Sequence, residues 1–206
     1  MATAQPRSTG LIPAGWLGLV ALATVIGLTL TTADRSSTLT RSTIHLALFE
    51  YALALSLMMR MSLDDWRVLT HRGQIARWLW TWACVTFLIH VACAFHFSHR
   101  WSHTHAFEQT RLESGFGEGL YVNYLFIALW ICDVSWWWIN PERYALRPRW
   151  IDRLLHGFML FIAFNATVVF ERGAIRYAGL IGTLLLAMRW FQKPPINAVN
   201  ASASDH

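Results

Sequence analysis

Imidazoles crowd one short stretch of this chain. His96-Phe97-Ser98-His99-Arg100-Trp101-Ser102-His103-Thr104-His105 closes an apolar segment that already carries His90, which places five of the nine histidines within sixteen residues. Neutral imidazole binds Zn, Cu, Fe and Ni, and its charge changes near neutral pH. If the helix runs on past Phe97, His96, His99 and His103 stand at i, i+3 and i+7, within roughly 60° around its axis. Three rings on one stripe can share one cation. The expected metal ligands are therefore His96, His99 and His103, with Glu50 from another segment, and iron, copper or zinc as the metal. Haem b is the alternative, because two imidazoles on facing helices at one depth can hold it. His45 with His96 or His99 meets that condition, and His45 and His90 are the expected cofactor-binding residues. A second haem finds no second histidine pair.

Other polar groups sit inside apolar segments, where an ionisable side chain is costly and faces a bundle interior or a wet cavity. They sort into two layers. The outer layer holds His45, Glu50, His90, Tyr121, Asn123 and Tyr124, with Asn165 and Glu171 at the end of a later segment. Glu50 is the expected partner of His90 by depth, and Tyr121 and Asn123 are supporting groups. The inner layer holds Asp133, Asp152 and His156, the last two an i, i+4 pair on one helix face. Asp133 and His156 fall at similar depth, as a proton relay or as a structural pair between helices. Asn123, Phe126, Trp130, Asp133 and Trp137 form the stripe expected to face inward.

The elements that must position these residues are apolar helices. The chain has 206 residues, 55% hydrophobic and 14% charged, with 12 tryptophans and a formal net charge of +5. A soluble domain is about one quarter charged. A spanning helix needs about 20 apolar residues, and six segments come near: 11–30, 44–61, 78–97, 120–139, 151–170 and 175–191. The expected fold is an all-α polytopic membrane bundle of five to six helices, one domain over 1–193, with a disordered tail over 194–206. The last segment is short enough to lie in the interface instead of crossing. The first resembles a secretory signal in outline, but its apolar run is long for one. Of the 17 Lys and Arg, eleven fall on one side of these spans and six on the other. By the positive-inside rule both termini are cytoplasmic, the His-rich loop is extracytoplasmic and the membrane is the inner one. Trp78, Trp80, Trp136, Trp137, Trp138, Trp150 and Trp190 cluster near the inner boundary, where indoles concentrate.

Several function classes drop out. No basic stripe lies on a soluble domain, so nucleic acid is not an expected partner. The expected partners are the bilayer, other membrane subunits or further copies of the chain. No nucleophile motif, P-loop or dinucleotide fingerprint is present, which leaves open whether the protein is an enzyme. Cys84, Cys93 and Cys132 all lie in apolar segments without a C-x-x-C pattern and read as small buried hydrophobes. Met58, Met59 and Met61 read as filler.

The block His96-x2-His99-x-Trp101-Ser102-His103, Gly119-Leu120-Tyr121-Val122-Asn123-Tyr124 and Trp130-x2-Asp133-x2-Trp136-Trp137-Trp138 resembles a pattern shared by uncharacterised bacterial multi-pass membrane proteins. It covers about a fifth of the chain. The resemblance implies that this block behaves as one unit, and it carries no activity. The function expected from the residues is metal or haem binding in the outer half of a membrane bundle, with redox chemistry in view. Transport or proton movement along the two polar layers is the alternative, and a non-catalytic subunit or scaffold is the third.

Overall fold

The computed structural model describes residues 11–67, 70–169 and 173–191, and among them all regular structure is helical. The helices are α1 (Leu11–Thr29), α2 (Arg35–Met58), α3 (Leu63–Trp66), α4 (His71–Phe97), α5 (His103–Ser114), α6 (Gly119–Ile139), α7 (Pro141–Ala145), α8 (Arg149–Phe164) and α9 (Ala174–Phe191), with a π-helical turn over Asn165–Val169. The tail beyond residue 193, Phe170, Glu171 and Arg172 lie outside the described residues. Among the described residues, three helical stretches are long and apolar enough to cross a membrane: His71–Phe97, Gly119–Ile139 and Arg149–Val168. Gly15–Thr29 and Arg176–Met188 are shorter apolar helices.

α2 and α4 start well before the apolar runs that announce them. Asp34 caps α2 by accepting from the Ser37 amide at 3.2 Å, so the helix takes in the polar, Ser/Thr-rich stretch 35–43. α3 opens with a capping box, in which Ser62 and Asp65 satisfy each other's backbone donors. The Asp65 carboxylate also accepts from the Thr70 hydroxyl, and Thr70 in turn caps α4 through the Gly73 amide at 3.1 Å. Gly73 permits this crossing, because a Cβ there would stand 1.8 Å from the Asp65 carbonyl oxygen.

The chain divides into two compact units, one ending at Met159 and the next beginning at Leu160. In the first, small residues let α2 and α4 pack closely: Ala47, Ala54, Ala76 and Ala83 are all buried. Large aromatics fill the space beside them. Trp80 lies 5.6 Å from Tyr51 and 5.1 Å from Trp130, ring centre to ring centre. α6 buries Leu120, Phe126, Trp130, Asp133 and Trp137, as the inward stripe predicts, but Asn123 and Tyr121 are exposed. Met58 and Met61 are core filler. Cys84 is buried, Cys93 half-buried and Cys132 exposed, so the reading of three buried thiols holds for one. In the second unit, the π-turn packs on α9, where Gly179 comes against Thr167.

Candidate functional site

The histidine stripe does not form, because α4 stops at Phe97. Arg100 and Trp101 follow with φ of 49° and 58°. Two consecutive non-glycine residues in the left-handed region are unfavourable for L side chains. Together with the hydrogen bond that the Trp101 N–H donates to the Phe95 carbonyl at 2.9 Å, they turn the chain sharply. Ser102 then caps α5 through the His105 amide at 3.2 Å.

This reversal regroups the imidazoles. His99 Nδ1 and His105 Nδ1 stand 3.4 Å apart, whereas His96 Nδ1 accepts from the Trp101 indole at 3.3 Å. His103 Nδ1 stands 3.3 Å from the Tyr124 hydroxyl, and its ring centre lies 5.8 Å from those of both Tyr121 and Tyr124. His96, His103 and His105 are exposed and His99 is half-buried. Burial and then the His105 charge push the His99 ring below the ordinary imidazole range, and Glu113 opposes them. Among the described residues, no three His, Cys, Asp or Glu side chains come together as a metal-ligating group.

Deeper in the outer half, His90 does not pair with Glu50. His90 Nδ1–H donates to the Thr40 carbonyl at 2.8 Å. A carbonyl can only accept, so that nitrogen carries the proton. His45 lies within electrostatic reach of His90, its Nε2 buried and unpartnered. Glu50 instead lies against the Thr86 hydroxyl, one helical turn before His90 on α4.

The inner layer is a dense network, and Arg147 is its centre. Asp133 Oδ2 accepts from the Trp80 indole at 2.8 Å and from the Tyr144 hydroxyl at 2.9 Å. Asp133 Oδ1 accepts from Arg147 at 2.7 Å, and the other guanidinium nitrogen donates to Asp152 Oδ1 at 2.5 Å. His156 Nε2 lies 3.4 Å from the same Asp152 oxygen. The expected Asp133–His156 pair is therefore replaced by a chain running Asp133, Arg147, Asp152, His156. The Arg147 and Asp133 side chains are each only 4% exposed. The guanidinium also covers the Tyr144 ring at 3.9 Å, and Tyr144 stacks on Trp137 at 5.0 Å. Burial, and then the Asp133 charge, hold the Tyr144 hydroxyl protonated, well above the ordinary phenol range. Burial alone would favour losing the Arg147 proton, but the Asp133 and Asp152 carboxylates outweigh it and keep the guanidinium charged.

No protein-family model, curated protein or solved structure matches the chain. Its chemistry has to be read from its own residues. Two of the functional-site residues were not singled out from sequence. Arg147 counted only as a topological charge, although Pro141 and Pro148 bound a short connection between two acid-bearing helices. The partnership of His105 with His99 depends on a turn that the helix period does not anticipate.

Proposed function

We propose that this chain is an integral inner-membrane protein that binds a divalent first-row transition metal at its outer rim, through His99 and His105. The observation that carries this reading is the 3.4 Å separation of the two Nδ1 atoms. Two imidazole nitrogens on a tetrahedral Zn²⁺, each at about 2.0–2.1 Å, stand roughly 3.3–3.4 Å apart. Glu113 is the carboxylate whose charge bears on His99, but among the described residues it does not complete a three-ligand group. Water fills the rest, so the site exchanges its metal or presents it to a partner. This chemistry replaces the ligand set His96, His99, His103 and Glu50 with His99 and His105.

Membrane embedding is supported by apolar side chains facing outward, among them Ile139 at 82% and Leu17 at 69% exposed. A soluble surface rarely carries so much. The arginine asymmetry supports cytoplasmic termini and an extracytoplasmic His loop. The alanine seam between α2 and α4 supports a cation over haem b, since a porphyrin needs a gap between His45 and His90. The inner network supports a structural role over proton transfer, because three donors occupy both Asp133 oxygens.

The test is a Co²⁺ titration of the full chain purified in mild detergent. Visible ligand-field bands are expected, with stoichiometric displacement by Zn²⁺. His99→Ala with His105→Ala should weaken binding at least about a hundredfold, equivalent to about 2.7 kcal/mol. His96→Ala and His103→Ala should stay within about threefold, equivalent to under 1 kcal/mol. Unchanged affinity in the double variant, with its helix content intact, would reject the site.

A further inference from the structure

α5 packs one side against α6 and turns the other outward. Ala106 is buried, and Phe107 lies against Tyr121 with ring centres 6.2 Å apart. At about 100° per residue, Ala106, Phe107 and Thr110 fall on the packed side of the helix. His105 and Leu112, at i and i+7, fall together on the opposite side. Leu112 is 75% exposed, and α5 lies outside the long apolar spans, so the bilayer core does not cover it. Trp101, in the turn just before α5, is exposed as well. The same outward side carries the imidazole pair of His99 and His105, and among the described residues no third ligand joins them. A tetrahedral Zn²⁺ takes four.

We propose that this outward side of α5 is an interface between two copies of the chain, which pool His99 and His105 into one four-imidazole metal site. The inference rests on the metal reading above and names the partner to which that site is presented. The waters on the metal of a lone chain give way to the second imidazole pair. Two copies inserted the same way in one membrane hold their outer rims at one level, so each rim meets its own equivalent across a two-fold axis along the membrane normal. In such an isologous contact a residue near the axis meets its own counterpart. Leu112 then covers Leu112, and apolar surface that a lone chain leaves in water is buried. Charge agrees with a second copy. Four neutral imidazoles leave the two positive charges of the metal unbalanced. Glu113, whose charge bears on His99, occurs once in each copy, and the two carboxylates balance the metal.

The test is Co²⁺ binding by the full chain in mild detergent, with the protein mass in the micelle followed by light scattering during size exclusion. Saturation at about half a Co²⁺ per chain is expected, the ratio that a shared four-ligand site requires. The mass should move from one chain to two on adding Co²⁺ and return on adding a chelator. Leu112→Glu keeps both imidazoles and sets like charges across the axis. It should raise the dimer dissociation constant at saturating Co²⁺ at least about tenfold. His96→Ala should dimerise as the parent does, whereas His99→Ala with His105→Ala should stay monomeric. One Co²⁺ per chain, on a monomer or on a dimer, would overturn the shared site and leave the metal reading standing. No Co²⁺ binding would overturn both. Undiminished dimerisation in Leu112→Glu would reject the α5 interface. Should that variant fail to fold, the metal-to-chain ratio of the parent decides.

Discussion

Arg147 stands between two carboxylates, and its removal would strand both. Replacing it with Met leaves Asp133 with two of its three donors and Asp152 with His156 alone. Breaking a buried ion pair from one side costs about 3–5 kcal/mol, so Arg147→Met is expected to lower the unfolding free energy in detergent by that amount. Arg147→Lys should recover only part of it, because an ammonium cannot reproduce the fork that holds Asp133 and Asp152 at once. An unchanged denaturation midpoint in Arg147→Met would mean that the network contributes no stability. At the outer rim, the prediction concerns pH. Metal binding needs neutral imidazole, and His99 is held below the ordinary imidazole range by burial and by His105. Its competition with protons is therefore weak at neutral pH. Co²⁺ affinity should fall only in acid, as the His99 ring takes up its proton below the ordinary imidazole range. Glu113 favours the protonated ring, so Glu113→Gln should move His99's own titration to lower pH, read by NMR on the metal-free protein.

At the scale of elements, the α3–α4 junction is the clearest case of local chemistry setting helix boundaries. Asp65 serves the Ser62 cap and the Thr70 cap together. Burial works against its charge, but hydrogen bonds from Thr70 and Ser62 prevail and hold the carboxyl below the usual carboxylate range. Its folded pKa is therefore lower than its unfolded one. The stability it contributes is complete above about pH 3.9 and is lost as pH falls through the lowered value. Asp65→Ala is expected to cost about 1–2 kcal/mol at neutral pH through loss of the caps, and much less at pH 3. Unfolding curves at the two pH values check this, and equal losses would count against it. The helical segments themselves were legible from hydropathy, and the buried face of α6 from its period. The starts of α2 and α4 were not, because their first turns are polar and become helical through caps.

For the molecule as a whole, the proposed orientation makes a prediction about access. Thr104→Cys, in the His-rich region, should react with a membrane-impermeant maleimide in intact cells. Arg143→Cys, on the opposite side, should react only after permeabilisation. Both positions are exposed, so burial does not confuse the readout, and the reverse pattern would invert the topology. Native Cys132 is exposed too, and its replacement by serine in the background removes it as a competitor.

Residue order alone determined that this chain is helical and apolar, where most of its long helices lie, and which ionisable groups fall inside them. Those properties are local: hydropathy needs only a window of residues, and the helix period needs only a few turns. Partner choice was decided by tertiary structure. His99 meets His105, and His96 drops out, because Arg100 and Trp101 adopt a left-handed turn that intrinsic preference disfavours. Asp133 meets Arg147 because a connection of eight residues folds back beneath the aromatic cluster. Neither pairing follows from spacing along the chain, since each depends on where a short loop redirects the backbone.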